Sequence, residues 1–222
     1  MIKTQQNKGN IGDTLAMSQY LQVHPDNPEL RLISQAVKTL MAGGVIVYPT
    51  DSSYALGCHL GDKSALERIR RLRQLDAKHN FTLVCEDLSS LASYAMVSNS
   101  AYRILKAYTP GPYTFILKAT PEVPRRLMHP KRKTVGLRVP DHVVAQTLLR
   151  VMGEPIMSTS LILPGEEEQI VDPYEMRLKL GNQVDMIIDS GPCGLEPTTM
   201  IDLVEGMPKV LRLGKGDPEP FI

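Results

Sequence analysis

Tyr48-Pro49-Thr50-Asp51-Ser52-Ser53-Tyr54-Ala55-Leu56-Gly57-Cys58 sets a small, hydroxyl-rich run directly behind the β-branched stretch Val45-Ile46-Val47. Val45 to Tyr48 has the length and composition of a buried strand, and Pro49, which has no amide hydrogen to give to a ladder, stops it. The Thr50 hydroxyl and the Asp51 carboxylate then lie at the carboxyl end of a core strand, where ligands of open α/β sheets collect. The other reading of the string is a polar turn in which Gly57 permits a tight bend. Taken alone, the string leaves the two readings even.

Working outward, Asp26-Asn27-Pro28 supplies a helix N-cap and a first-turn proline. Leu30, Ile33, Val37, Leu40 and Met41 follow at helical spacing until Gly43-Gly44 ends the run. Residues 1–23 show little periodicity and are expected to be a disordered leader, with the folded domain over 24–222. Downstream, Ser64 with Glu67 forms a capping-box pattern for a helix whose apolar side is Leu66, Ile69 and Leu72. Thr82–Cys85, Tyr113–Lys118, Thr134–Val139, Ile156–Ser158, Met186–Asp189, Met200–Leu203 and Val210–Leu213 read as strands. Ser100–Ala107, His142–Val151 and Pro173–Leu180 read as helices. The alternation predicts one α/β domain with helices packed on an open sheet.

The 222 residues, 42% hydrophobic and 22% charged, are ordinary for a globular chain. No run approaches the roughly 18 apolar residues of a membrane helix, and Met1 to Ala16 lacks the apolar core of a secretory signal. Three widely spaced cysteines, Cys58, Cys85 and Cys193, argue against both a disulfide framework and a zinc site, so a reducing cytoplasm is the default. A net charge of +1 gives no global pull toward nucleic acid. The basic residues are nevertheless clumped at Arg68, Arg70, Arg71 and Arg73 and at Arg125, Arg126, Lys131, Arg132 and Lys133, runs whose plainer reading is a solvated face. Phosphate-loop, dinucleotide, zincin and nucleophile-elbow motifs are absent, and the histidines stand singly. No covalent, acid–base or metal residue is assigned, so an enzyme of this sequence works by positioning and charge stabilisation.

The opening string closely resembles the Tyr-Pro-Thr-Glu/Asp signature of YrdC-like proteins, and other blocks match in order. Arg71-Leu72-Arg73 stands where that family has Lys-x-Arg, followed by the strand Phe81-Thr82-Leu83-Val84. Pro110-Gly111-Pro112-Tyr113-Thr114, Val135-Gly136-Leu137-Arg138-Val139-Pro140, Pro155-Ile156-Met157-Ser158-Thr159-Ser160, Pro197-Thr198-Thr199 and Leu211-Arg212-Leu213-Gly214 resemble the later landmarks. The Arg-Leu-Arg variant and Asn80-Phe81-Thr82-Leu83 are most similar to the YciO subgroup. The resemblance implies a single-domain YrdC-like fold, an open twisted mixed sheet with helices packed on it.

It also implies a reaction. YrdC-like enzymes make threonylcarbamoyl-AMP from ATP, L-threonine and bicarbonate and release pyrophosphate; the product feeds threonylcarbamoyladenosine in tRNA. These ligands are anions, and arginine forks match their carboxylate and phosphate oxygens. On this resemblance Arg71, Arg73 and Arg138 are assigned to phosphate or carboxylate binding and Arg212 to nucleotide phosphate. Thr50, Ser158 and Ser160 are assigned to hydrogen bonds with threonine and the phosphates. Mg2+ accompanies the ATP, held by phosphates and water. Two positions depart from the family: Ile162 stands where the synthases carry an Asn, and Arg71 replaces a Lys. The competing expectations are a non-catalytic protein binding double-stranded RNA or tRNA, and a nucleotide-binding regulatory remnant.

Overall fold

The computed structural model describes residues 18–76, 79–165 and 170–222. The elements run β1 (Gln19–Gln22), α1 (Leu30–Met41), β2 (Ile46–Tyr48), β3 (Ala55–His59), α2 (Lys63–Arg73), β4 (Thr82–Val84), α3 (Leu88–Tyr94), β5 (Ala95–Met96) and α4 (Asn99–Tyr108). They continue with β6 (Tyr113–Ala119), β7 (Thr134–Arg138), α5 (Val143–Met152), β8 (Ile156–Ser160), α6 (Pro173–Leu180), β9 (Met186–Asp189), β10 (Thr199–Asp202) and β11 (Lys209–Arg212). The strands form one mixed sheet in the order β1-β9-β2-β3-β8-β4-β7-β6-β10-β11, with β5 beside β6. No helix among the described residues is long and apolar enough to cross a membrane.

The side-chain alternation of the strands decides what covers each face. On one face Val47, Leu56, Leu83, Phe115, Leu137 and Ile187 are buried with Leu66 and Ile69 of α2, Leu91 of α3, Leu105 of α4 and Met176 of α6. On the other, Ile46, Tyr48, Ile156, Met186 and Ile188 lie under Ile33, Ala36 and Leu40 of α1 and Val144, Ala145 and Leu148 of α5. This second cover spans β1, β9, β2, β3 and β8 and the end of β4. Beyond it, β4, β7, β6 and β10 present Thr82, Gly136, Thr114 and Met200 in place of large apolar groups, and that uncovered floor positions the site.

Several boundaries differ from the sequence reading. The expected disordered leader over 1–23 is corrected at its end: β1 pairs in parallel with β9, Tyr20 opposite Ile187 and Leu21 opposite Ile188. Ser18 Oγ donates to the carbonyls of Val184 (2.7 Å) and Gly181, and Tyr20 donates to Asp189 Oδ2 at 2.7 Å. A short edge strand with glutamine at both ends carries no periodic signal, because its pairing is made by backbone groups. The rest of that segment, 1–17, lies outside the described residues.

Helix α1 begins at Leu30, since the His24 ring takes the amides of Asp26 and Asn27 (both 3.2 Å) into a preceding turn. Helix α2 is capped by Asp62, which accepts from the Ala65 amide at 2.8 Å, while Glu67 pairs with Arg70 at 2.8 Å. Gly57 makes no bend. It lies inside β3 where a Cβ would stand 2.9 Å from both Ile156 Cγ2 and Tyr48 Cε1, so its bare backbone lets the Tyr48 ring cross the sheet.

Candidate functional site

A cavity of about 180 Å³ opens over the uncovered floor, at the ends of β2, β7 and β8. Gly57, Ser158, Thr82 and Gly136 lie in register across β3, β8, β4 and β7, so the floor is a row of small side chains. A second hollow of about 140 Å³ continues along β7 and β6 and shares Asn80, Thr82 and Met200 with the first.

Three arginines reach the cavity from three separate elements: Arg73 from the last turn of α2, Arg138 from the end of β7 and Arg212 from the edge strand β11. Arg73 Nε donates to the Ile162 carbonyl and Nη1 to Thr159 Oγ1, each at 2.8 Å. Arg212 Nη2 donates to the Thr198 carbonyl (2.8 Å) and to Thr198 Oγ1 (3.0 Å). Arg138 Nη2 donates to Asp51 Oδ1 in a pair whose side chains are 9% and 10% exposed. Burial pushes the Arg73 guanidinium pKa down; burial, and then the charge of Arg138, do the same to Arg212. An arginine nevertheless keeps its proton in a protein. Among the described residues neither Arg73 nor Arg212 has a carboxylate partner, and no carboxylate lines the cavity. Among the described residues, three guanidinium groups face the single carboxylate of Asp51, an excess of positive charge that suits an anionic ligand.

The hydroxyls divide into occupied and free. Thr50 Oγ1 donates to the Ser53 carbonyl (2.6 Å) and accepts from the Ser52 and Ser53 amides (3.3 and 3.2 Å), the local turn bonding that short hydroxyl side chains favour. Ser158 Oγ donates to the Leu56 carbonyl (3.0 Å) and accepts from the Tyr48 hydroxyl (2.8 Å), whose pKa burial pushes up to about 12. Thr50 and Ser158 therefore shape the wall, with their protons already committed. The hydroxyl of Ser160, half-buried on the rim, has no hydrogen-bond partner among the described residues and is open to a ligand.

Thr50, Arg73, Arg138, Ser158, Ser160 and Arg212 thus line one cavity. Arg71 does not: it is exposed on the outer side of α2 beside Glu67 and Gln74. Two residues along a helix is a turn of about 200°, so Arg71 and Arg73 must face apart. Several of the other clustered basic residues have partners in the protein. Arg68 pairs with Asp185 (2.7 Å), Arg132 with Asp202 (2.6 Å), and Arg126 donates to the Gly61 carbonyl at 2.6 Å. Sequence reasoning missed His79, Asn80, Thr114 and Thr198 on the lining, and Lys215, whose Nζ donates to the Asp51 carbonyl. The readable signal was the alternation of polar Thr82, Thr114 and Arg138 with apolar Leu83, Phe115 and Leu137.

The donor set fits a polyanion, with cations and hydroxyls and, among the described residues, no acidic lining. It does not offer a metal cage: no group of three or more His, Cys, Asp or Glu able to hold an ion occurs among the described residues. The cysteines are unpaired, Cys58 and Cys85 being buried.

Fold and site together define an α/β protein with a cationic cleft cut into the uncovered half of its sheet. The chain belongs to the Sua5/YciO/YrdC family, whose model, described as telomere recombination, matches residues 38–214. The YciO protein of Escherichia coli is 58% identical over 206 residues, 93% of this chain and 100% of the relative. Its crystal structure matches the fold with a TM-score of 0.89. A threonylcarbamoyl-AMP synthase of Vibrio vulnificus is 32% identical over 160 residues, 70% of this chain and 84% of its own. The Sua5 protein of P. abyssi, solved in complex with L-threonine, is 26% identical with a TM-score of 0.84, the match covering 91% of this chain and 59% of that longer one.

Proposed function

We propose that the protein is a threonylcarbamoyl-AMP synthase, binding ATP, L-threonine and bicarbonate in the cationic cavity and supplying tRNA threonylcarbamoyladenosine modification. The observation that carries this reading is the convergence of Arg73, Arg138 and Arg212 on one cavity with Asp51 as their only acidic partner. In the reaction the amino group of threonine bonds to the bicarbonate carbon with loss of water. An oxygen of the resulting carbamate then attacks the α-phosphorus of ATP, and the bond to the departing pyrophosphate breaks. The carbamate and the triphosphate are both anionic where they must meet, so fixed guanidinium groups offset the repulsion. The Ser160 hydroxyl and Asn80 on the rim add neutral hydrogen bonds. Magnesium supplies charge neutralisation when it arrives with the triphosphate, held by phosphate and water oxygens. ATP and tRNA place this activity in the cytoplasm.

The test is pyrophosphate release measured with ATP alone, with threonine added, and with threonine and bicarbonate together. Release that requires all three supports the synthase. One observation favours a second reading, a nucleotide-binding protein that ignores threonine: Ile162 lines the cavity where the synthases carry a hydrogen-bonding Asn. That reading expects nucleotide binding with no threonine-dependent release. An RNA-binding role is weakened because most clustered basic side chains already have partners in the protein; it expects a steep salt dependence of tRNA affinity.

A further inference from the structure

His79 stands on the cavity wall between the end of α2 and β4. Its Nε2 lies 3.3 Å from Thr159 Oγ1, the same oxygen that accepts from Arg73 Nη1 at 2.8 Å, and its ring meets Phe81 edge-on at 5.4 Å. Thr159 Oγ1 accepts a hydrogen bond from Arg73 and stands within hydrogen-bond reach of Nε2, so imidazole, hydroxyl and guanidinium form a short chain along one wall. The rest of the lining is arginines, hydroxyls, one amide and apolar groups. Among the described residues of the lining, His79 is therefore the one group that can take up a proton near neutral pH.

We propose that His79 accepts the proton that the amino-acid ammonium must lose, and that anion binding at the neighbouring arginine is what enables it to do so. The proposal rests on the synthase reading. The ammonium passes one proton to the imidazole, and the freed nitrogen lone pair bonds to the bicarbonate carbon. A carbon–oxygen bond of bicarbonate then breaks, and that oxygen leaves as water with the amine's second departing proton. Without ligand, burial first and Arg73 second hold the His79 pKa below its usual value, with Arg70 acting the same way and Asp76 opposing. Arg138 and Arg212 line the same cavity. A bound polyanion neutralises these cations and so makes the imidazole a stronger base when the substrates are in place.

The experiment is a histidine-labelled NMR titration of the full chain with and without inorganic pyrophosphate, using His79→Gln to identify the signal among the five histidines. The expected result is an upward pKa shift of the His79 ring on pyrophosphate binding. His79→Gln is also expected to lose about a hundredfold in threonine-dependent pyrophosphate release, the lower end for a general base, with pyrophosphate affinity at pH 8 retained. If calorimetry shows pyrophosphate bound while the ring pKa stays put, or if the variant keeps full activity, this proposal falls and the synthase reading stands. If the wild-type protein releases no pyrophosphate in the presence of threonine and bicarbonate, the reading and the proposal fall together.

Discussion

Arg138 and Asp51 meet in a nearly water-free ion pair, yet only one bond joins them, and Asp51 Oδ2 and Arg138 Nε are both buried without a partner. A guanidinium and a carboxylate usually engage through two parallel bonds. Here half of that capacity is idle at the wall of a cavity whose other arginines have no acidic partner among the described residues. Asp51 is the ballast that lets three like charges coexist before a ligand arrives.

Asp51→Ala should therefore destabilise the protein by about 3 kcal/mol, the lower end for breaking a buried pair, because the pair is singly bonded. Pyrophosphate should restore more of the melting temperature in this variant than in wild type, since the anion replaces the lost counter-charge. Thermal unfolding with and without millimolar pyrophosphate measures both. Equal stabilisation of the two proteins would show that Arg138 does not face the ligand.

Arg73→Ala should weaken ATP or pyrophosphate binding by about 1.5 to 3 kcal/mol, the range for a hydrogen bond to a charged group, which is tenfold or more. The half-buried side chain also holds the Ile162 carbonyl and Thr159, so about 1 kcal/mol of stability should go with it. Arg71→Ala, two residues earlier and exposed, should change neither quantity. Calorimetry on the pair separates a local cavity effect from a general loss of positive charge.

Ile162→Asn should raise threonine-dependent pyrophosphate release by up to roughly tenfold, the equivalent of one neutral hydrogen bond. The side chain lines the cavity and is half-buried, so the amide enters solvent and ligand space rather than the core. The contact that fixes this residue, its carbonyl to Arg73 Nε, belongs to the backbone and survives. Activity and melting temperature of the same variant check the expectation; lower stability without a gain in rate would make Ile162 a packing residue.

Stability should fall on acidification below pH about 6.5, the ordinary histidine value. Burial lowers the pKa of both His79 and His142 in the folded protein. The unfolded chain then binds more protons than the native one as pH drops through that value, so the folded state loses ground until the native pKa values are passed. His142 adjoins Asp51 and Arg138, and its Nδ1 is buried without a partner. Denaturant midpoints from pH 7.5 to 5 should decline, with a shallower slope in His79→Gln and in His142→Gln.

Much of the fold was legible because buried strands such as β2, β4, β6 and β7 are β-branched or aromatic runs with clear stops. Four elements escaped. β1 is held by backbone pairing and the hydroxyls of Ser18 and Tyr20, β3 is a short Ala-Leu-Gly-Cys-His run, α3 is one short serine-rich stretch capped by Asp87, and β5 is two residues beside β6. The site was only partly legible. Ordered blocks placed Arg73, Arg138 and Arg212 together, which spacing alone cannot do, since they come from elements far apart in the chain. The same blocks misplaced Arg71, where helical geometry was the better guide, and assigned Thr50 to a ligand although its hydroxyl serves its own turn. His79 was passed over because a lone histidine carries no pattern.

The place of β9 has a consequence for synthesis on the ribosome. β9 sits between β1 and β2, so Tyr20 of β1 and the outer edge of β2 at Ile46 find their partners only when Ile187 and Met186 have been made. Arg212, the last charge of the cavity, emerges later still. A nascent chain must keep the edge of β2 unpaired for most of its translation, and sheets that wait on distant partners form slowly and stay exposed to wrong pairing. A prematurely ended chain carries the opening Tyr48–Cys58 string intact and yet has neither a closed sheet nor a complete cavity.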